Sequence, residues 1–125
     1  MAAPNIVGVT TVTGITTFVS LDSTNATNIV SNPVASGAVY KINTIIASNI
    51  DGTNTANITV KMHQEAAGAG SSVPIASTID VVADSTLVIL DKASALYLEE
   101  NRSISATASA ADDLAIICSY EEVSD

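Results

Sequence analysis

The sequence predicts an all-β chain: a single-domain antiparallel β-sandwich, jelly-roll-like, with about eight or nine short strands. Three observations predict it. Val, Ile and Thr recur throughout while the good helix formers Leu, Lys, Glu, Gln and Arg are scarce. Apolar and polar residues alternate with the period of a strand, and turn residues interrupt the pattern at short intervals. At 125 residues, with no linker to divide it, the stretch 1–125 reads as one domain able to bury roughly two-thirds of its unfolded surface.

Taken in order, residues 6–13 and 16–21 read as short strands split by Gly14, and 28–30 as a third. Residues 1–12 also suit an extended N-terminal arm or edge strand. SNPVASG at 31–37 is a turn built on Pro33 and Gly37. Residues 40–50 alternate, with Tyr40, Ile42, Thr44, Ile46, Ser48 and Ile50 on one face and Lys41, Asn43, Ile45, Ala47 and Asn49 on the other. Asp51 and Gly52 then form a structural turn in which Gly52 supplies a positive φ, and Ile58, Val60 and Met62 carry the return strand, completing a hairpin.

EAAGAGSS at 65–72 is the most flexible-looking connection. Residues 73–81 place Val73, Ile75, Ile79 and Val81 inward, and the apolar run 86–90 suits a strand covered on both faces. Residues 91–100 fit one helical turn followed by a short strand at 96–98. A second hairpin joins 103–108 to 114–121 across 110–113, with Leu114, Ile116, Cys118 and Tyr120 sharing a face.

Thirteen acidic residues against four basic ones give a formal charge of −9, which repels phosphate backbones and anionic lipid surfaces; neither nucleic acid nor membrane is an expected partner. A composition 47% hydrophobic and 14% charged is that of a folded chain whose surface is largely Ser, Thr, Asn and Ala, a neutral skin suited to packing against copies or partners. The single Cys118 excludes an internal disulfide framework. The first twenty residues carry no Lys or Arg ahead of an apolar stretch, and a signal peptide or membrane span is not expected.

Hydrolytic chemistry needs a nucleophile, a base and an orienting group, and the sole imidazole is His63, on the polar face of its strand beside Lys61. With no nucleophile elbow, and with Cys118 predicted inward, these two read as structural, and no catalytic residue is assigned. Carboxylates gather in loops at Asp51, Asp84, Asp91, Glu99, Glu100, Asp112 and Asp113, without the spacing of a calcium loop and without a Cys or His pair for zinc. They read as solvated turn residues, so no metal or cofactor is assigned. The sequons at Asn25, Asn57 and Asn101 are explained by the density of Asn, Ser and Thr, and Gly68 and Gly70 lack the helix and Lys of a phosphate cradle.

The segments VYKINTIIASNIDGTNTANITVKM and ALYLEENRSISATASAADDLAIICSYEEVSD resemble small β-sandwich virion proteins of tailed bacteriophages, in which a strand ends in an SN-x-D-G/S turn and the chain closes with a Y-L-E-x-x-x-x-I strand followed by SYEE. The resemblance spans 39–125 and rests on turn and strand signatures. It implies a non-enzymatic structural protein of the virion, made in the bacterial cytoplasm. On this reading it is a capsid decoration protein that binds the major capsid protein, or another virion protein, as a homo-oligomer, with a trimer favoured, and stabilises the shell by avidity.

Subunit contacts are then expected at Ile45, Ala47 and residues 106–110. Capsid contacts are expected along the arm at Ala2, Pro4, Ile6, Val7 and Val9. The alternatives are a neck, tail or fibre accessory, or a carbohydrate- or receptor-binding module. The second would stack a sugar on aromatic rings, of which the chain has only Phe18, Tyr40, Tyr97 and Tyr120.

Overall fold

The computed structural model describes residues 5–125, which form nine strands in two antiparallel sheets. The strands are β1 (Thr11–Ser20), β2 (Thr27–Asn32), β3 (Ala38–Asn49), β4 (Ala56–His63), β5 (Ser72–Val81), β6 (Thr86–Leu90), β7 (Leu96–Leu98), β8 (Arg102–Ala108) and β9 (Leu114–Ser124). The first sheet runs β1-β9-β3-β6 with β7 also paired to β3, and the second runs β2-β8-β4-β5. Counting β6 and β7 as one strand broken by the 3₁₀ turn Lys92–Ser94, the way the chain passes between the sheets is the double Greek key of a jelly roll. The fold class read from the sequence is the observed one.

Both expected hairpins are instead crossovers. β3 belongs to the first sheet and β4 to the second, and β8 and β9 are divided in the same way. A short polar turn between two alternating strands is compatible with either arrangement, because turn chemistry fixes the chain reversal and not the hydrogen-bonding partner. Nor does Gly52 have a positive φ; the positive-φ glycines are Gly37, Gly68 and Gly70.

The loop is shaped by Asp51, whose carboxylate accepts from Thr53 N at 2.7 Å and Asn54 N at 3.0 Å. A Cβ on Gly52 would meet nothing closer than Asp84 Oδ2 at 3.6 Å.

The core lies between the sheets and is built on Leu21, Ile42, Ile45, Ile58, Leu98, Ile104, Leu114 and Ile116, all essentially without solvent contact. Each such side chain contributes roughly 1.5–3 kcal/mol by leaving water. Alternation in β3 holds only to Ile42. A bulge between Ile42 and Thr44 switches the phase, so that Ile45, Ala47 and Asn49 join Tyr40 and Ile42 on the core side while Ile46 and Ser48 turn outward. β1 runs unbroken through Gly14, where two short strands were expected.

Strand β6 is an edge strand, not one covered on both faces: Leu87 and Ile89 pack on the core and Val88 is exposed. β5 buries Val81 and half-buries Ile75 but exposes Val73 and Ile79, because two register shifts against β4 and a positive φ at Thr78 break its phase. The 3₁₀ turn and short strand expected in 91–100 are present.

Two buried asparagines tie the sheets together. Asn32 on β2 donates to Ala38 O and Leu98 O, both at 3.0 Å, and accepts from Ser36 Oγ. Asn49 on β3 donates to Val81 O at 2.8 Å and Asn54 O at 2.9 Å, and its Oδ1 accepts from Asp51 N. Each donates both hydrogens of its amide to buried or part-buried backbone carbonyls, one asparagine at either end of β3.

Candidate functional site

Across the outward face of the first sheet, pairing aligns one apolar residue from each of four strands. Phe18 on β1 lies opposite Ile117 on β9, Ile117 opposite Ile46 on β3, and Ile46 opposite Val88 on β6. Phe18 is 81% exposed, Val88 57% and Ile117 36%, with Ile46 half-buried. The rows on either side are small and uncharged: Thr16, Ser119 and Thr44 on one side, and Ser20, Ala115, Ser48 and Thr86 on the other. A contiguous apolar band framed by hydroxyls is the pattern of a surface that meets another molecule.

The corresponding face of the second sheet is partly covered. The connection between β4 and β5, expected to be the most flexible, folds back over β8 and β2. Gly68 N donates to Ser103 Oγ at 2.8 Å, Ser103 Oγ donates to Glu65 O at 2.7 Å, Ala66 N donates to Asn101 Oδ1, and Ala67 N donates to Ser31 Oγ. The glycines of this segment serve that path: Gly68 and Gly70 have φ of 74°, and a Cβ on Gly68 would stand 3.1 Å from Asn28 Oδ1.

His63 sits beside this cover, with Nε2 2.7 Å from Ser105 Oγ and Nδ1 buried without a partner. Ser105 is 3% exposed, so its hydroxyl is shut off from any substrate. Cys118 faces the core from the other sheet, and burial pushes its thiol up to about 12. His63 and Cys118 therefore lie in different layers of the sandwich and form no common site.

At one end, the loops after β3, β5 and β8 meet. Ile50 N donates to Asp113 O and Asp84 N to Asp51 O, which brings Asp51, Asp84, Asp112 and Asp113 into neighbouring turns. Hydrogen bonds from Thr53 N and Asn54 N hold the Asp51 carboxyl below its ordinary range. Desolvation, the Asp51 charge and the Asp112 charge push Asp113 up. Among the described residues, no group of three or more His, Cys, Asp or Glu is placed to hold a metal ion.

The aromatic residues do not form a sugar platform. Tyr40 and Tyr120 stack on each other inside the sandwich, with ring centroids 5.0 Å apart, which leaves Tyr97 as the exposed tyrosine. Of the expected subunit contacts, Ile45, Ala47, Ala106 and Ala108 are buried in the core and are not available to a second chain, while Thr107 and Ala110 are half-buried and Ser109 is exposed. Of the expected arm, Ala2 and Pro4 fall outside the described residues. Ile6 and Val7 are exposed, Val7 at 92%, in a turn closed by Gly8 N to Asn5 O, and Val9 is half-buried.

No family model and no curated protein matches the chain. Among solved structures it is similar to a protein of the Bacillus endospore appendages, a family of disulfide-linked pili, at 15% identity and a TM-score of 0.53. That match covers 91% of this chain and 88% of the other. It shows a shared fold. A second match, at 16% identity, is to the Clostridium thermocellum endo-1,4-β-D-xylanase 10B CBM22-1–GH10 modules complexed with xylohexaose. It covers 90% of this chain but 24% of that one, and its TM-score of 0.33 carries no weight.

Proposed function

We propose that the chain is a non-enzymatic structural subunit that works in many copies on a larger particle, as a capsid decoration protein of a phage virion or as an accessory of its neck or tail. The observation that carries this reading is the apolar row Phe18, Ile117, Ile46 and Val88 on the outward face of the first sheet. A row of large apolar side chains held in water on a rigid sheet contributes most when a partner covers it. The endospore appendage protein, which shares the fold over most of both chains and belongs to a family of disulfide-linked pili, offers a second support. Because Cys118 is sealed in the core, assembly of this chain proceeds without a cystine between copies.

The test is binding of the purified chain to particles of its phage lacking it, followed by co-sedimentation. Phe18→Glu and Val88→Glu place charges in the row and are expected to abolish co-sedimentation while leaving the fold intact. Binding unchanged in both would refute the role given to this face. The carbohydrate-binding alternative loses ground because two of its three tyrosines stack inside the protein.

A further inference from the structure

We propose that β1 is the strand through which two copies of this chain join, edge to edge and antiparallel, so that the first sheet continues from one copy into the next. The proposal rests on the structural-subunit reading above and names its self-contact. An open sheet edge is a template for another strand, and proteins that stay single blunt their edges.

Three of the four edges here are blunted. β5 carries Pro74, Asp80, a positive φ at Thr78 and two register shifts. β2 is six residues long with a bulge between Asn28 and Val30, and the backbone of the β4–β5 connection is bonded to its Ser31. The β6 and β7 edge is five residues and three residues, separated by a 3₁₀ turn.

By contrast, β1 has ten residues, TVTGITTFVS, in continuous register with β9, with no proline, charge, bulge or positive φ. Leu21 N bonds to Leu114 O. By antiparallel alternation, the odd-numbered residues of β1 therefore bond to β9, and Val12, Gly14, Thr16, Phe18 and Ser20 turn their N–H and C=O groups outward.

Charge and pattern select a second copy as the occupant. The chain carries −9, and two copies repel over most contacts. Residues 1–21 hold no charged residue at all, so β1 is where like chains meet without opposing carboxylates.

The strand is also self-complementary about Ile15. With Ile15 opposite Ile15, Val12 of each copy faces Phe18 of the other, and Gly14 faces Thr16, all on the outward face. The two largest exposed apolar side chains of β1 then cover each other twice, and the apolar row continues across the junction. The contact is two-fold, which gives even-numbered assemblies in place of the trimer expected from the sequence.

Sedimentation velocity on the full chain tests this. The unaltered protein is expected to be a dimer at high micromolar concentration. Val12→Pro and Thr16→Pro remove outward N–H groups and no bond to β9, and each is expected to weaken the dimer by roughly 100-fold or more while the far-UV circular dichroism is kept. Thr16→Lys adds an edge charge without altering a backbone bond and decides the matter if a proline variant unfolds.

Val7→Asp and Val88→Glu are expected to leave the dimer whole. A monomeric native chain, a dimer that survives the β1 variants, or one dissolved by Val7→Asp or Val88→Glu would overturn the proposal, the last two by assigning the contact to the arm or the sheet face. A monomer still found on particles overturns this contact alone; a β1 dimer absent from every particle supports it and overturns the functional reading.

Discussion

Asn32 and Asn49 hold positions that apolar side chains of similar size could fill only by giving up two hydrogen bonds to backbone carbonyls each. Asn32→Leu is expected to cost roughly 1–3 kcal/mol, read as a lower midpoint in urea denaturation with an unchanged slope, because it removes two buried hydrogen bonds to the backbone and the acceptor of Ser36 Oγ. The glycines separate in the same assay. Gly68→Val meets both a φ of 74° and Asn28 at 3.1 Å and is expected to destabilise by more than about 1 kcal/mol.

Gly52→Val is expected to stay within about 1 kcal/mol of the native chain, since that backbone is not left-handed. Cys118 should resist thiol reagents until the chain unfolds; rapid labelling of the native protein would show that the core opens at β9. None of these distinctions is written in residue type alone. One asparagine in a Ser/Thr/Asn-rich chain looks like another until its carbonyl partners are in place.

At the scale of elements, the three loops gathered around Asp51 and Asp113 give a pH signature of opposite signs. Asp51 has its folded value lowered by backbone N–H donors, so its contribution is present above the unfolded carboxyl value and is lost as pH falls through the lowered one. Asp113 has its folded value raised, so its contribution is complete below the unfolded value and gone once pH rises through the raised one. Asp113→Asn is therefore expected to raise the melting temperature at neutral pH and to lose that gain on acidification. Asp51→Asn is expected to lower it at neutral pH, with the deficit shrinking in acid. Parallel pH profiles for the two variants would contradict the assignment.

The period of two located β4, β8 and β9 and the correct inward faces of the first part of β3 and of β9. The bulge at Asn43, which sends Ile45 and Ala47 into the core, is a property of the pairing with β9 and leaves no mark in the residues themselves.

For the whole molecule, strand-rich composition and short spacing were enough to specify a two-sheet antiparallel sandwich. The distribution of strands between sheets was not legible, because β3 and β4 meet the same local turn rules whether they pair or face each other across the core. The candidate surface was hidden for the same reason: Phe18, Ile46, Val88 and Ile117 lie far apart in the chain and become a row only through three registers. What the sequence did show was an opening stretch of twenty residues without Lys or Arg. Where an arm or edge strand was expected, the described residues from 5 onward form a turn and then the edge strand β1.

If this chain is a multi-copy structural component of a particle, as proposed, quantitative mass spectrometry of purified virions detects it there. The chain is expected in the particle at many copies, in fixed ratio to the major capsid protein or to a neck or tail ring. Particles that are infectious, complete and free of the chain while it is abundant in the producing cells would contradict it.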